Sequence, residues 1–177
     1  MIELNNQFKP EHFGPKLHVY QALGDRAASA GIEKKERNKM APPTGQVEYM
    51  NPDTLNKNPA FTNVIVVSGS TKTVYVGGQN AVDSSGTIVG KGDIKAQTEQ
   101  VLKNIQAALS AGGAQPEHVI KWNLYVVQGQ PLQEGFEVFQ RVWGRRPNPP
   151  AITMAFVAGL ANPDFLVEMD AIAVVPE

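Results

Sequence analysis

The closing residues of the chain, AITMAFV at 151–157 and LVEMDAIAV at 166–174, form two strand-like segments that organise the rest of the sequence. In the second segment, the odd-numbered positions are apolar, whereas Glu168 and Asp170 share the opposite face with aliphatic residues. A carboxylate inside an otherwise apolar strand needs a polar partner or water. We therefore take Glu168 as the first candidate functional residue.

Two further strand patterns lie upstream. The β-branched runs at 63–67 and 73–76 are separated by a short glycine-containing turn, which predicts a β-hairpin. Gly77 and Gly78 follow directly and permit a bulge or a close backbone approach. Residues 119–127 predict a long strand with alternating faces. One of these faces carries Ile120, Trp122, Leu124 and Val126.

Helical spacing predicts two helices. Asp93 can cap a helix from Ile94 to about Ala111, because its side chain can accept from the first free amides. A second helix should run from Leu132 to about Trp143. We expect the large apolar residues at helical spacing in the second helix to be core. They are Leu132, Phe136, Phe139 and Trp143.

The element order is therefore ββαβαββ, which predicts an α+β domain with both helices on one face of a single mixed sheet. The other face of the closing strand is too apolar for bulk water and too charged for a closed core. Association of subunits through their sheets would bury the apolar part and leave the carboxylates in a cleft. We thus expect a homo-oligomer.

The character of the chain changes near residue 47. Residues 1–46 are polar, carry a dense run of mixed charges, and end in consecutive prolines. We interpret residues 1–46 as an N-terminal extension, partly disordered or forming a short helix, and residues 47–177 as the folded domain. A chain of 177 residues fits one domain of ordinary size.

Composition excludes several classes of function. The net charge of -1 provides no basic field, so we expect no nucleic-acid or membrane partner. The chain has no cysteine and shows neither a signal peptide nor a spanning helix, which we interpret as a cytoplasmic protein. His118 is the sole histidine after residue 46, so the domain has no plausible histidine-rich metal site.

Four motifs in the right order resemble one family. Residues 75–79, 92–105, 111–113 and 167–173 are similar to the RidA family of reactive-intermediate deaminases, also called YjgF/YER057c/UK114. The resemblance runs over about residues 58–175. It implies a chorismate-mutase-like fold, a homotrimer with ligand clefts between subunits, and no cofactor. The best-understood members hydrolyse enamines and imines to ketoacids and ammonia.

The resemblance also assigns a site residue by residue. In deaminating members an arginine follows a proline-alanine pair and clamps the substrate carboxylate. Here residues 150–151 are that pair, and Ile152 follows. A tyrosine, a helical asparagine and a cysteine of the family correspond to Phe61, Phe136 and Met154. The four substrate-binding positions have therefore become apolar.

Gly78 and Glu168 keep the family pattern. The resemblance implies that Gly78 offers backbone amides to the ligand and that Glu168 holds or activates water, as a base or as an acid. The alternative is that Glu168 only pairs with a basic residue across a subunit boundary. Arg145 or Arg146 could replace the missing clamp, although we expect both to be solvated. Asp170 is expected to be structural or solvent-facing.

Two functional classes remain open. The first is a hydrolase of imines, enamines or related small intermediates other than the usual 2-imino acids, with Glu168 as its catalytic residue. The second is a non-catalytic trimer that binds a small molecule or a partner protein in the same clefts. An endoribonuclease activity, which has also been described for the family, fits poorly with the near-neutral charge and the absence of a histidine pair.

Overall fold

A computed structural model describes residues 44–144 and 146–177. Its elements are β1 (Gln46–Met50), β2 (Val64–Ser68), β3 (Thr71–Gln79), α1 (Ile94–Ala111), β4 (Val119–Val127), α2 (Leu132–Trp143), β5 (Ala151–Val157) and β6 (Val167–Pro176). The predicted extension lies almost wholly outside the described residues and stays a prediction. Thr44 already belongs to the domain, since it forms a bridge with Ser70.

The α+β class is confirmed, but the strands form two sheets instead of one. β1 and β2 form an antiparallel pair, and the second sheet has the order β3-β6-β4-β5. In this second sheet only β4 and β5 are parallel. The predicted β2–β3 hairpin is wrong, because β2 pairs with β1 and β3 pairs with β6. Local sequence specified both strands and the turn at Gly69, whose φ is 76°, but the partners are distant in the chain.

Strand β1 was missed by the sequence analysis. Its five residues, QVEYM, alternate between exposed and half-buried positions, and none of them is fully buried. Such a short segment gives little periodic signal. It is held in place by pairing along the whole of β2, from Gln46 opposite Ser68 to Met50 opposite Val64.

Both helices have the predicted bounds, and α1 supplies much of the core. The carboxylate of Asp93 accepts hydrogen bonds from the amides of Lys95 and Ala96 at 2.9 and 3.1 Å, which confirms the predicted cap. The apolar stripe of α1 packs on the four-stranded sheet. Its buried members are Ile94, Thr98, Val101, Leu102, Ile105 and Leu109. This packing explains why one face of β6 is so strictly apolar.

The strands contribute a matching layer. Val167, Met169, Ala171 and Ala173 of β6 are buried in this core, as the alternation predicted. In β4 the simple alternation fails, because Val119 and Trp122 are both buried in the core. A register shift between Val119 and Lys121 adds one residue to β4 opposite β6 and turns Val119 inward.

The predicted core stripe of α2 is only half correct. Trp143 is buried and packs edge-on against Trp122, with ring centroids 4.8 Å apart. By contrast, Leu132 is 37% exposed and Phe136 is 44% exposed. The amino-terminal half of α2 therefore presents apolar side chains at the surface. This exposure fits the expected ligand-contacting role of Phe136 better than a core role.

Candidate functional site

Glu168 lies near the start of β6, on the sheet face that is turned away from the helices. It is half-buried, and its Cα is in register with Tyr125 of β4. Its Oε2 accepts a hydrogen bond of 2.9 Å from Nδ2 of Asn80. An amide, not a basic residue, is thus the partner of this carboxylate within the described chain. The hydrogen bond fixes the orientation of the carboxylate without placing an opposite charge beside it.

Asn80 is positioned from α1. Asn104 donates from Nδ2 to the carbonyl oxygens of Asn80 and Val82 at 2.9 and 2.8 Å. Gln100, one turn earlier in the helix, donates to Oδ1 of Asn104 at 2.8 Å. The helix therefore fixes the loop that holds Asn80, and Asn80 orients Glu168. Asn80 was not among the residues predicted from the sequence; its signal was an amide directly after the glycine-containing end of a strand.

Gly78 lies directly beneath the carboxylate. The β3–β6 ladder shifts register between Val76 and Gln79, so the two glycines lie in a bulge, one of the conformations that their positions permitted. A Cβ placed on Gly78 would lie within contact distance of the Glu168 side chain, 3.0 Å from its Cδ. Only glycine leaves room for Glu168 in its observed position. A Cβ on the neighbouring Gly77 would meet nothing within 4 Å.

These two glycines provide a matched test of the site. We expect Gly78→Ala to displace the flexible end of Glu168, with little loss of stability. Any turnover that depends on the Glu168 carboxylate should fall at least tenfold. Gly77→Ala should leave both activity and stability unchanged, because its added methyl group enters open space. Steady-state rates and urea denaturation of both variants check this. Equal activity of the two variants would contradict the proposed position of the carboxylate.

Asp170 has a different environment. Its Oδ1 accepts a 2.8 Å hydrogen bond from Nδ2 of Asn123, which is its register partner on β4. This cross-strand bond ties the two strands together on the same face as Glu168. The contact supports the structural role expected for Asp170.

The four apolar candidates gather on the helix side of the sheet. Phe61, Phe136 and Ile152 line one groove of about 720 Å³, which runs between α2 and the prolines before β5. Phe136 and Ile152 also line a smaller cavity of about 120 Å³ together with Met154. The side chain of Met154 is 45% exposed. The two spaces are therefore neighbours that share Phe136 and Ile152.

Within one chain the carboxylate and this apolar group do not meet. Met154 of β5 is in register with Leu124 of β4, which faces Met169 in the core. Glu168 directly precedes Met169 in β6, so its side chain lies on the opposite face of the sheet. The candidates form two half-sites: Glu168, Asn80 and Gly78 on one face, and the apolar set on the other.

We expected Arg146 to be solvated, but its side chain is largely buried. Its guanidinium lies 4.6 Å from the centroid of the Trp143 ring and its side chain is only 26% exposed. Its Nη1 is 3.8 Å from Oε2 of Glu117, too far for a hydrogen bond. Arg146 also lines the larger groove. The expectation for Arg145 lies outside the described residues.

Metal binding and membrane insertion are two further functional classes. In the described ranges, no group of three or more histidine, aspartate or glutamate side chains is arranged to hold a metal ion. Across those same residues, none of the helices has the length and apolarity needed to cross a membrane.

Comparison with known proteins agrees with this architecture. A family model described as Endoribonuclease L-PSP matches residues 55–175. A RutC family protein of Pyrococcus abyssi is 35% identical over 100 residues, which is 56% of this chain and 76% of that protein.

Two solved structures show the same fold. YyfB of Yersinia pestis, from the conserved Rid protein family, has a TM-score of 0.63 and 29% identity over 73% of this chain and 98% of that one. Escherichia coli TdcF, solved with bound serine, has a TM-score of 0.53 and 26% identity over 58% and 80% of the two chains. The α+β domain is thus chorismate-mutase-like, and the chain belongs to the RidA family.

Proposed function

We propose that the protein is a cofactor-independent hydrolase of imines, enamines or related small reactive intermediates, acting in clefts between the subunits of a homotrimer. The observation that carries this proposal is the setting of Glu168. One carboxylate oxygen is held by Asn80 at 2.9 Å, while the other lies over the bare backbone of Gly78. A half-buried carboxylate with one fixed and one available oxygen is suited to hold water.

The separation of the two half-sites supports a cleft that requires two subunits. A single chain offers a carboxylate on one sheet face and an apolar groove on the other. β5, which carries Ile152 and Met154, is an edge strand of its sheet. A neighbour whose β5 edge lies against the Glu168 face of this sheet would bring its apolar half-site to the carboxylate. Members of this family are typically trimeric, which satisfies the same requirement. We therefore assign one composite site to each subunit boundary.

The proposed reaction needs only water and a proton carrier. Glu168 takes a proton from water as the water oxygen bonds to the C=N carbon, and the π electrons move to nitrogen. The protonated carboxyl then returns that proton to nitrogen of the carbinolamine. The hydroxyl proton is then transferred to nitrogen through Glu168 as the C–N bond breaks, which releases ammonia and leaves a carbonyl product. An enamine first takes a proton on carbon to form the imine.

Ile152 indicates which substrates the site favours. In the deaminating members to which the chain is similar, an arginine at this position clamps the substrate carboxylate. Hydrogen bonds to a charged group contribute about 1.5–3 kcal/mol each, and isoleucine can form none. We therefore propose that 2-imino acids bind weakly at this position and that the substrate carries an apolar group next to the reacting carbon.

A second candidate function is binding without catalysis. The apolar lining of the smaller cavity around Phe136 and Ile152 is typical of a small-molecule pocket, and it needs no reaction to explain it. TdcF, a member with 26% identity, was solved with bound serine. In this alternative the same clefts hold a ligand and Glu168 only orients it.

An ammonia-release assay on freshly generated imines tests the proposal. Imines with an apolar group should turn over at least tenfold faster than 2-iminopropionate, because Ile152 offers no partner to a carboxylate adjacent to the imine carbon. Replacing Ile152 with arginine should shift the preference towards 2-iminopropionate. Sedimentation of the same samples monitors assembly. Preference of the wild-type protein for 2-iminopropionate, or a monomeric protein with full activity, would contradict the proposal.

A further inference from the structure

The larger groove contains a cation that the proposed reaction does not use. Arg146 lines this groove beside the aromatic rings of Phe139 and Trp143. All the other described residues around the groove are uncharged. The lining combines aromatic rings and prolines with the side-chain amides of Asn51, Asn58 and Gln140. A partly apolar space with one cation at its wall is suited to an amphipathic anion.

The guanidinium of Arg146 is oriented but not neutralised by hydrogen bonds. It stacks over the Trp143 ring at 4.6 Å, which fixes its plane. Its Nε is buried and has no acceptor within the described residues. The nearest carboxylate, Glu117, is 3.8 Å away and 63% exposed. The Nη atoms are not buried and form no hydrogen bond within the described residues, so they remain available to a ligand oxygen.

We propose that this groove binds a small monocarboxylate with an apolar, preferably aromatic, body, whose carboxylate pairs with Arg146. A planar guanidinium matches a carboxylate through two parallel hydrogen bonds. The nearby charge of Glu117 disfavours a dianion and leaves room for one negative charge. The volume of about 720 Å³ is within the range of small-ligand sites.

The carboxylate site in the groove rests on the proposed function in one respect, which is that the bound carboxylate is part of the substrate. The acid group would then be held by Arg146, while Ile152 contacts apolar substrate atoms. The carboxylate and the reacting carbon would be separated by the apolar body. Binding itself requires no hydrolysis and can be measured independently.

The test uses a matched pair of probes, 3-phenylpropionate and its neutral amide, 3-phenylpropionamide. The chain has two tryptophans, and Trp143 stacks with Arg146, so intrinsic fluorescence should report binding. For the full-length protein we expect the carboxylate to bind roughly 10- to 100-fold more tightly than the amide, the scale of charged hydrogen bonds. Equal binding of the two probes, or binding of neither, would overturn the proposal.

Three variants assign the preference to one side chain. Arg146→Gln should remove the difference between carboxylate and amide. Arg141→Gln removes the same charge from an exposed position on α2 outside the groove, where it pairs with Glu99, and should keep the difference. Glu117→Gln should tighten carboxylate binding about two- to fivefold, because it removes an exposed competing partner. A merely structural Arg146 would not respond to the loss of Glu117.

The two proposals can fail separately. Glu168→Gln should keep the preference for 3-phenylpropionate over its amide, because the substitution leaves Arg146 and its contact with Trp143 in place. Loss of the carboxylate preference in Arg146→Gln, with full turnover in Glu168→Gln, would support the binding site and reject Glu168 as the catalytic residue. Persistence of that preference in Arg146→Gln would reject the binding site, whatever the effect of Glu168→Gln on turnover.

Discussion

Replacing Glu168 with glutamine should slow imine hydrolysis by about 10²- to 10⁴-fold, the usual contribution of a positioned proton carrier. Glutamine keeps the size of the side chain and can still contact Asn80, but it cannot take a proton from water. The rate of ammonia release from a neutral imine measures the effect. Sedimentation should show the same oligomer as the wild type, since the substitution adds no volume.

Asp170→Asn is the matched control for this prediction. It removes a carboxylate from the same strand and the same face, two residues away. Asp170 already has a cross-strand partner in Asn123 at 2.8 Å. We expect near-normal turnover, because this carboxylate is committed to a structural hydrogen bond. Equal losses in the two variants would indicate a general electrostatic effect, and full activity of Glu168→Gln would reject Glu168 as the catalytic residue.

Replacing Trp122 with alanine should have the largest effect on stability, about 3–5 kcal/mol. Trp122 is fully buried and contacts the rings of Phe139 and Trp143, with centroids 6.0 and 4.8 Å away. Its loss leaves a cavity between β4 and α2 that the surrounding core can only partly fill. Urea denaturation at one fixed protein concentration measures the change, because subunit association also affects the midpoint.

Trp122→Phe separates packing from hydrogen bonding. The indole Nε1 of Trp122 has no acceptor in the part of the chain that the structure describes. Substitution by phenylalanine therefore loses no hydrogen bond and keeps an aromatic ring next to Phe139 and Trp143. We expect a cost well below that of alanine. A cost equal to that of alanine would mean that the indole N–H has a partner in the assembled protein.

Local sequence patterns were sufficient to predict most of the individual helices and strands. The bounds of α1 and α2, the cap at Asp93 and the core face of β6 all follow from short-range periodicity and capping chemistry. Pairing was not predictable in this way. β2 and β3 are adjacent in sequence and joined by a tight turn, yet each pairs with a different strand. Strand pairing depends on the burial of whole faces, which local sequence does not record.

For the candidate site, too, the sequence indicated individual residues but not the contacts between them. The family motifs drew attention to Glu168, Gly78, Phe136, Ile152 and Met154 one position at a time. None of those motifs indicated Asn80, which holds the carboxylate, or the contact of Arg146 with Trp143. Both contacts join residues through space, from a loop to a strand and from a loop to a helix.

The sequence by itself determined the fold class, the helices and the family, because these depend on periodicities and motifs that lie within short segments. Only the tertiary structure decided that Glu168 and Ile152 occupy opposite sheet faces of one chain. The physical reason is the register of β4 between its two neighbours, in which a one-residue step reverses the side-chain direction. That register makes the second subunit a requirement of the proposed site.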